Sequence, residues 1–197
     1  MEPLFVGGHP AIDFLNTSFF PRGERVETLG DGEAFLEWLI RADLLSESAA
    51  ASLKRALGVR GLDAVAAEAR AIRDWTSNWI SRWSPAPDED YRPELRRLNG
   101  LLRKARYHRE LVSKKGRWQL IDRRDIESGE DVLALLAMQI GLLVTSEDPT
   151  LIKRCAGKEC TLWFLDRTKA HRRLFCSATV CGNRAKVAAF RARQRDA

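Results

Sequence analysis

Four cysteines, Cys155, Cys160, Cys176 and Cys181, are the residues whose type and spacing speak most directly of chemistry, and the first 154 residues contain none. They form two pairs, each with four intervening residues, held fifteen residues apart. Zinc takes four tetrahedral ligands, and two close pairs presented by two tight turns supply them with little chain entropy to lose. Gly157, inside the first pair, suits such a knuckle. Four thiolates leave no open coordination position, so the expectation is one structural Zn2+ rather than a catalytic one. Two disulfides, an iron-sulfur cluster or unrelated core cysteines are the alternatives; pair spacing and a thiol-reducing cytosol favour zinc. A segment of this size is marginal by burial alone, whereas structural zinc contributes an apparent binding energy of roughly 10–16 kcal/mol, so metal and fold should be coupled.

Charge marks the same region. Residues 151–197 carry 12 Lys or Arg against 3 Asp or Glu, a net +9, while residues 1–150 carry −3. Clustered positive charge attracts polyanions. A zinc ion with four thiolates carries −2, which lowers the segment to about +7. Lys153, Arg154, Lys158, Arg172 and Arg173, beside the cysteines, are therefore available to offset the site as well as to meet a partner. The stretch beyond Asn183 favours helix, with Arg184, Arg191 and Arg195 on one broad face and Lys186 and Arg193 at its margins. Arg172, Arg173, Asn183, Arg184, Lys186, Arg191, Arg193 and Arg195 are the candidate nucleic-acid contacts. Asn183 and Arg184 suit bases or phosphate, or else a turn and a brace for the knuckle.

The elements that must position these groups are mostly helical. A glycine turn and a short apolar helix with Pro10 in its first turn are expected over residues 5–17. Asp31 should cap an amphipathic helix bearing Phe35, Leu36, Trp38 and Leu39, and a second short helix should follow Ser46. Apolar residues from Leu62 to Trp83 recur at steps of three and four until Ser84-Pro-Ala-Pro stops them, and Leu95, Leu98, Leu102 and Ala105 define the next stripe. Residues 109–122, around Lys114-Lys-Gly116, fit a β-hairpin. Residues 128–144 fit an apolar central helix; its 13-residue core, 132–144, falls short of the roughly 18 apolar residues of a membrane span. Residues 145–149 read as a linker, dividing a mainly helical domain, 1–148, from a zinc module, 149–197. In that module 162–165 and 172–175 are the expected strands, 166–170 their turn, and Val187 and Phe190 are expected to pack back on them. The fold class is α+β: a predominantly helical N-terminal domain with a β-hairpin, then a treble-clef-like four-cysteine hairpin and helix.

The run Cys176-Ser-Ala-Thr-Val-Cys-Gly-Asn-Arg-Ala-Lys186, with Arg154-Cys and Trp163-Phe-Leu-Asp166 before it, resembles the CGNR zinc finger. Gly7-Gly8 and Ala11-Ile-Asp-Phe-Leu-Asn-Thr17 resemble the start of the ABATE domain, which accompanies that finger in bacterial proteins described as stress-induced transcription regulators. Together they cover nearly the whole chain. The resemblance implies the ligand set Cys155, Cys160, Cys176 and Cys181, with Asn183, Arg184 and Lys186 as contact residues. Ala178 departs from the Met common there, which concerns packing more than metal.

The expected function is a bacterial, cytoplasmic DNA-binding regulator, whose first domain senses a small molecule or forms a homodimer. No export signal opens the chain. An RNA-binding module stacking bases on Trp163 or Phe164, and a protein-interaction adaptor with a purely structural zinc, are the alternatives. Asp13, Asn16 and Thr17 are candidates for a ligand pocket, against a local role in capping and turns. His9, His108 and His171 are isolated, and Trp75, Trp79 and Trp83 read as core or interface. No P-loop, dinucleotide glycine fingerprint or His-Glu-x-x-His motif occurs, and no cysteine outside the four is left as a nucleophile, so no enzyme is expected.

Overall fold

The computed structural model describes residues 2–20 and 24–195. Its N-terminal part is built from α1 (Pro10–Leu15), β1 (Ser18–Phe19), β2 (Val26–Glu27), α2 (Gly32–Arg41), α3 (Glu47–Trp83), α4 (Arg92–Leu102), β3 (Arg106–Lys114), β4 (Arg117–Asp125) and α5 (Gly129–Ser146). The cysteine region adds β5 (Ile152–Arg154), β6 (Trp163–Leu165) and α6 (Asn183–Arg195). The three sheets among the described residues are antiparallel pairs, β1 with β2, β3 with β4, β5 with β6.

Helix starts follow their caps. Asp31 accepts from the Ala34 amide, Ser46 from Ala49, and Ser128 and Asp131 form a reciprocal box at the start of α5. The short helix expected after Ser46 and the long one ending at Trp83 run end to end through α3 as two helices that meet at a kink at Gly58, whose φ of 62° is not helical. The lapse in periodicity before Leu62 reflects that kink.

The bundle closes around Trp38, Trp79, Phe14 and Phe35, all at most 1% exposed. α5 is its central helix, buried along ten of its residues, and α1 wedges beside it. The span of α5 is by length and composition apolar enough to cross a membrane, contrary to the sequence-based expectation; burial on several sides gives a core helix the same composition. β3 and β4 are longer than expected and are joined by Lys115 and Gly116, both at positive φ, as a two-residue hairpin turn requires. The arm is open to solvent on both faces and laced by Arg109–Asp122, Glu110–Arg123 and His108–Asp125 contacts.

The cysteine region shares this core. Ile152, Trp163 and Leu165 belong to the main cluster, and a second cluster joins Phe164, Leu162 and three of the cysteines to Phe19, with Leu4, Val6 and Val26 against it. The strand pairing differs from expectation: β6 pairs with residues 152–154, and residues 172–175 form no strand. The expected 166–170 turn is the start of a longer loop gathered around Asp166, which keeps 172–175 out of register with β6.

Candidate metal centre and basic helix

β5 delivers Cys155 and the turn after it delivers Cys160, whose amide bonds the Gly157 carbonyl. A Cβ on Gly157 would lie 3.2 Å from Cβ of Cys160, a tight contact, and 3.5 Å from the Sγ atoms of both Cys155 and Cys181, so a side chain there would crowd the knuckle. Cys176 and Cys181 come from the far side, where Ser177 caps a π-helical turn, Ala178–Gly182, running directly into α6. Ala178 is exposed at the start of that turn.

All four Sγ atoms lie within 4.8 Å of one another, with Cys160–Cys176 at 3.7 Å and Cys176–Cys181 at 3.6 Å. A tetrahedron with Zn–S bonds near 2.3 Å has S–S edges of about 3.8 Å, so the cluster fits zinc, and the spacing is far too wide for disulfides. The amides of Gly157 and Cys176 both point at Sγ of Cys155, at 3.5 and 3.3 Å. Such N–H donors stabilise thiolate charge. Crowding couples the thiols: the hydrogen bond from Cys176 holds the Cys160 thiol down at about 5, while the one to Cys160 pushes Cys176 far up. A divalent cation resolves that competition by replacing the protons. These four cysteines hold one structural zinc, which here fixes where the chain enters α6.

A polar clamp braces the site from below. Asp166, fully buried, accepts from Lys153 Nζ at 2.7 Å, the Thr168 hydroxyl at 2.6 Å and the Arg173 amide at 2.9 Å. These donors hold its carboxyl well below the usual carboxylate range against the opposing effect of burial. Lys153 also donates to the His171 carbonyl. The Arg173 guanidinium bonds the carbonyls of Phe175 and Cys176 and lies 4.3 Å from the centre of the Phe164 ring. Arg173 is thereby occupied in bracing the second cysteine pair. Asp166 was part of the quoted motif but carried no assigned role, since its partners become neighbours only on folding.

The remaining candidate contacts are differently placed. Arg172, Asn183, Arg184, Lys186, Arg191 and Arg193 are exposed, while the side chain of Arg195 lies outside the described residues. The finger's ion pairs among the described residues are Lys153–Asp166 and Arg167–Glu147, so Arg184 braces no carboxylate. Val187 and Phe190 do not pack back as expected; they are 48% and 55% exposed, because the space over the zinc core is filled by Phe19, Phe164 and Phe175. Trp163 and Phe164, at 5% and 0% exposure, offer no face for stacking a base. The RNA reading loses its proposed platform.

Asp13, Asn16 and Thr17 are buried and bonded inside the protein. Asp13 accepts from the Gly7 amide at 2.7 Å, and burial pushes its carboxyl up to about 6, partly opposed by the Gly7 and Val6 amides. Asn16 both donates to the carbonyl and accepts from the amide of Trp163, stapling α1 to β6. Thr17 donates to the Phe14 carbonyl and accepts from Arg73. Arg73, missed in the sequence because it sits within an amphipathic helix, is 1% exposed and makes two 2.7 Å bonds to Glu27. Of the histidines, His9 caps α1, His108 meets Asp125 on the hairpin, and His171 lends its carbonyl to the clamp. Trp79 is core, and Trp75 stacks on it beneath Arg97.

Two family models match the chain. Residues 8–147 match the ABATE family, described as "Putative stress-induced transcription regulator", and residues 152–194 match the CGNR zinc finger. No curated protein sequence matches the chain.

Proposed function

From a chain that belongs to the ABATE family and ends in a CGNR zinc finger, we propose a bacterial, cytoplasmic transcription regulator in which α6 contacts DNA. The observation that carries this reading is the exposed cation array on α6. Arg184, Lys186, Arg191 and Arg193 project from a helix whose start is fixed by zinc, and Arg172 stands exposed on the loop before the second cysteine pair. A helix bearing guanidinium groups with no carboxylate partner among the described residues suits phosphate oxygens and the major groove. Residues 1–148 serve in this reading as the regulatory domain and 149–197 as the DNA-binding one, with no catalytic role assigned to either.

Fluorescence anisotropy of the zinc-loaded chain on random and genomic duplexes tests the proposal. With about five or six phosphates contacted, log affinity should fall against log salt with a slope near −5. Absence of binding at low salt would sink it. An adaptor reading is favoured by one observation: Leu174, Val180, Val187 and Phe190 are exposed apolar groups on or near the same helix. It predicts a stable protein partner in pull-downs and only weak, salt-labile binding to any polyanion; competition by structured RNA separates the RNA alternative.

A further inference from the structure

A cleft of about 350 Å3 opens where the N-terminal part meets the first zinc knuckle. One wall is α3, which contributes Arg73, Asp74, Ser77 and Asn78; the opposite wall is the finger, with Arg154, Thr161 and Trp163. Ser18, Phe20 and Arg25 line the side between them. The volume falls in the range of small-molecule sites, and a seam between two folded parts is a common place for one.

The charges in and beneath the cleft do not balance. Arg73 is engaged by Glu27, Asp74 and Thr17. Arg25 bonds Ser18 and lies 3.5 and 3.6 Å from Glu27 and Asp74. Two arginines are thus matched by two carboxylates. Arg154 is the surplus cation: it is exposed, stacks 4.5 Å from the centre of the Trp163 ring, and is in no ion pair among the described residues. The Ser77 hydroxyl and Asn78 amide line the opposite wall of the same cleft with no side-chain hydrogen bond among the described residues. One uncompensated guanidinium with two spare neutral polar groups is complementary to an anion of single charge carrying a further polar or planar part.

Position supplies the consequence. Arg154 immediately precedes Cys155 and Thr161 immediately follows Cys160, so both finger-side residues of the cleft are bonded in sequence to zinc ligands. Thr161 also accepts from the Phe20 amide, which ties the knuckle to the cleft's third side. We propose that this cleft binds a small organic carboxylate and that occupancy, by joining α3 to the first zinc knuckle, changes how the finger meets DNA. The regulatory half of this proposal rests on the DNA-binding reading; the binding half does not.

Benzoate and lactate are suitable probes, with benzamide as a neutral isostere and inorganic phosphate as the other acid type. They are titrated into the full-length, zinc-loaded, 15N-labelled protein without DNA. At least one carboxylate should give saturable shifts at the Arg154 and Thr161 amides, and benzamide should give none. Arg154→Gln should raise the half-saturation concentration about tenfold or more, the scale of one lost charge-assisted bond. Asn78→Asp, an exposed change on the opposite wall, should weaken binding comparably by adding a like charge. Saturating carboxylate should then alter duplex affinity at least threefold. No saturable carboxylate binding, binding of phosphate alone, or binding indifferent to both substitutions overturns the site. Carboxylate binding with unchanged duplex affinity overturns the coupling. Loss of all duplex binding, with the shifts retained, counts against the DNA reading and not against the site.

Discussion

In the near half of the finger, residues 152–173, Lys153 is clamped to a buried carboxylate, Arg154 lies on Trp163 and Arg173 wraps backbone carbonyls. In the far half, residues 183–195, Arg184, Lys186 and Arg191 reach into solvent without a described carboxylate partner. A charge count treats these cations alike, yet Lys153 and Arg173 build the site, whereas Arg154 and Arg172 in the near half and Arg184, Lys186 and Arg191 of α6 are presented to solvent. Burial and partners, rather than net charge, therefore separate structural cations from those available to a ligand.

The largest effect expected on this comparison comes from the metal. Chelation, or Cys176→Ser, should unfold the far half outright and lower the melting temperature of the whole chain, because Phe19 and Val26 pack on the cysteine cluster. Circular dichroism and zinc stoichiometry report it; a melting curve unchanged by chelation would show that the N-terminal part does not depend on the finger. Phe164→Ala, at a fully buried ring, should cost about 3–5 kcal/mol in denaturant unfolding.

Next come two carboxylates with opposite pH signatures. Asp166 is held below its ordinary range, so its stabilisation is present above that range and fades as pH falls through it; Asp166→Asn should remove that acid-side slope and lower the neutral-pH melting temperature by roughly 10 °C. Asp13 is raised to about 6, so its contribution is complete below the unfolded value near 4 and is lost as pH rises through 6. Asp13→Asn, which keeps an oxygen for the Gly7 amide, should flatten the melting temperature between pH 4 and 7. A wild-type curve already flat over that interval would contradict the assignment.

The smallest structural effect belongs to the far half. Arg184→Ala and Arg191→Ala should each leave stability within about 0.5 kcal/mol of wild type, yet reduce the salt slope of DNA binding by about 1. A melting temperature lowered by several degrees would move that arginine into the structural class.

What was legible in the sequence follows the same division. Helices and caps could be read because Asp31, Ser46 and Ser128 act on amides three residues away, and the four-cysteine site because its ligands come in local pairs. The pairing of β6 with β5 could not, since residues 172–175 look equally strand-like until Asp166 draws their loop aside. Asn16 appeared as a polar interruption in an apolar helix; its partner, Trp163, lies 147 positions away. The cleft was invisible for the same reason, being assembled from Arg25, Asn78 and Arg154, which come from three segments distant in sequence.

The solvent-open hairpin arm meets a different demand. With neither face buried, alternating hydrophobicity cannot tell the two strands how to align. Its ion pairs can. In the observed register Arg109 faces Asp122 and Glu110 faces Ile121; a slip of one residue in one direction sets Arg109 against Arg123 and Glu110 against Asp122. The ladder thus acts as a proofreading device, vetoing a misaligned arm by like-charge repulsion, and concentrated salt, which screens exposed charges, is the condition under which that veto weakens.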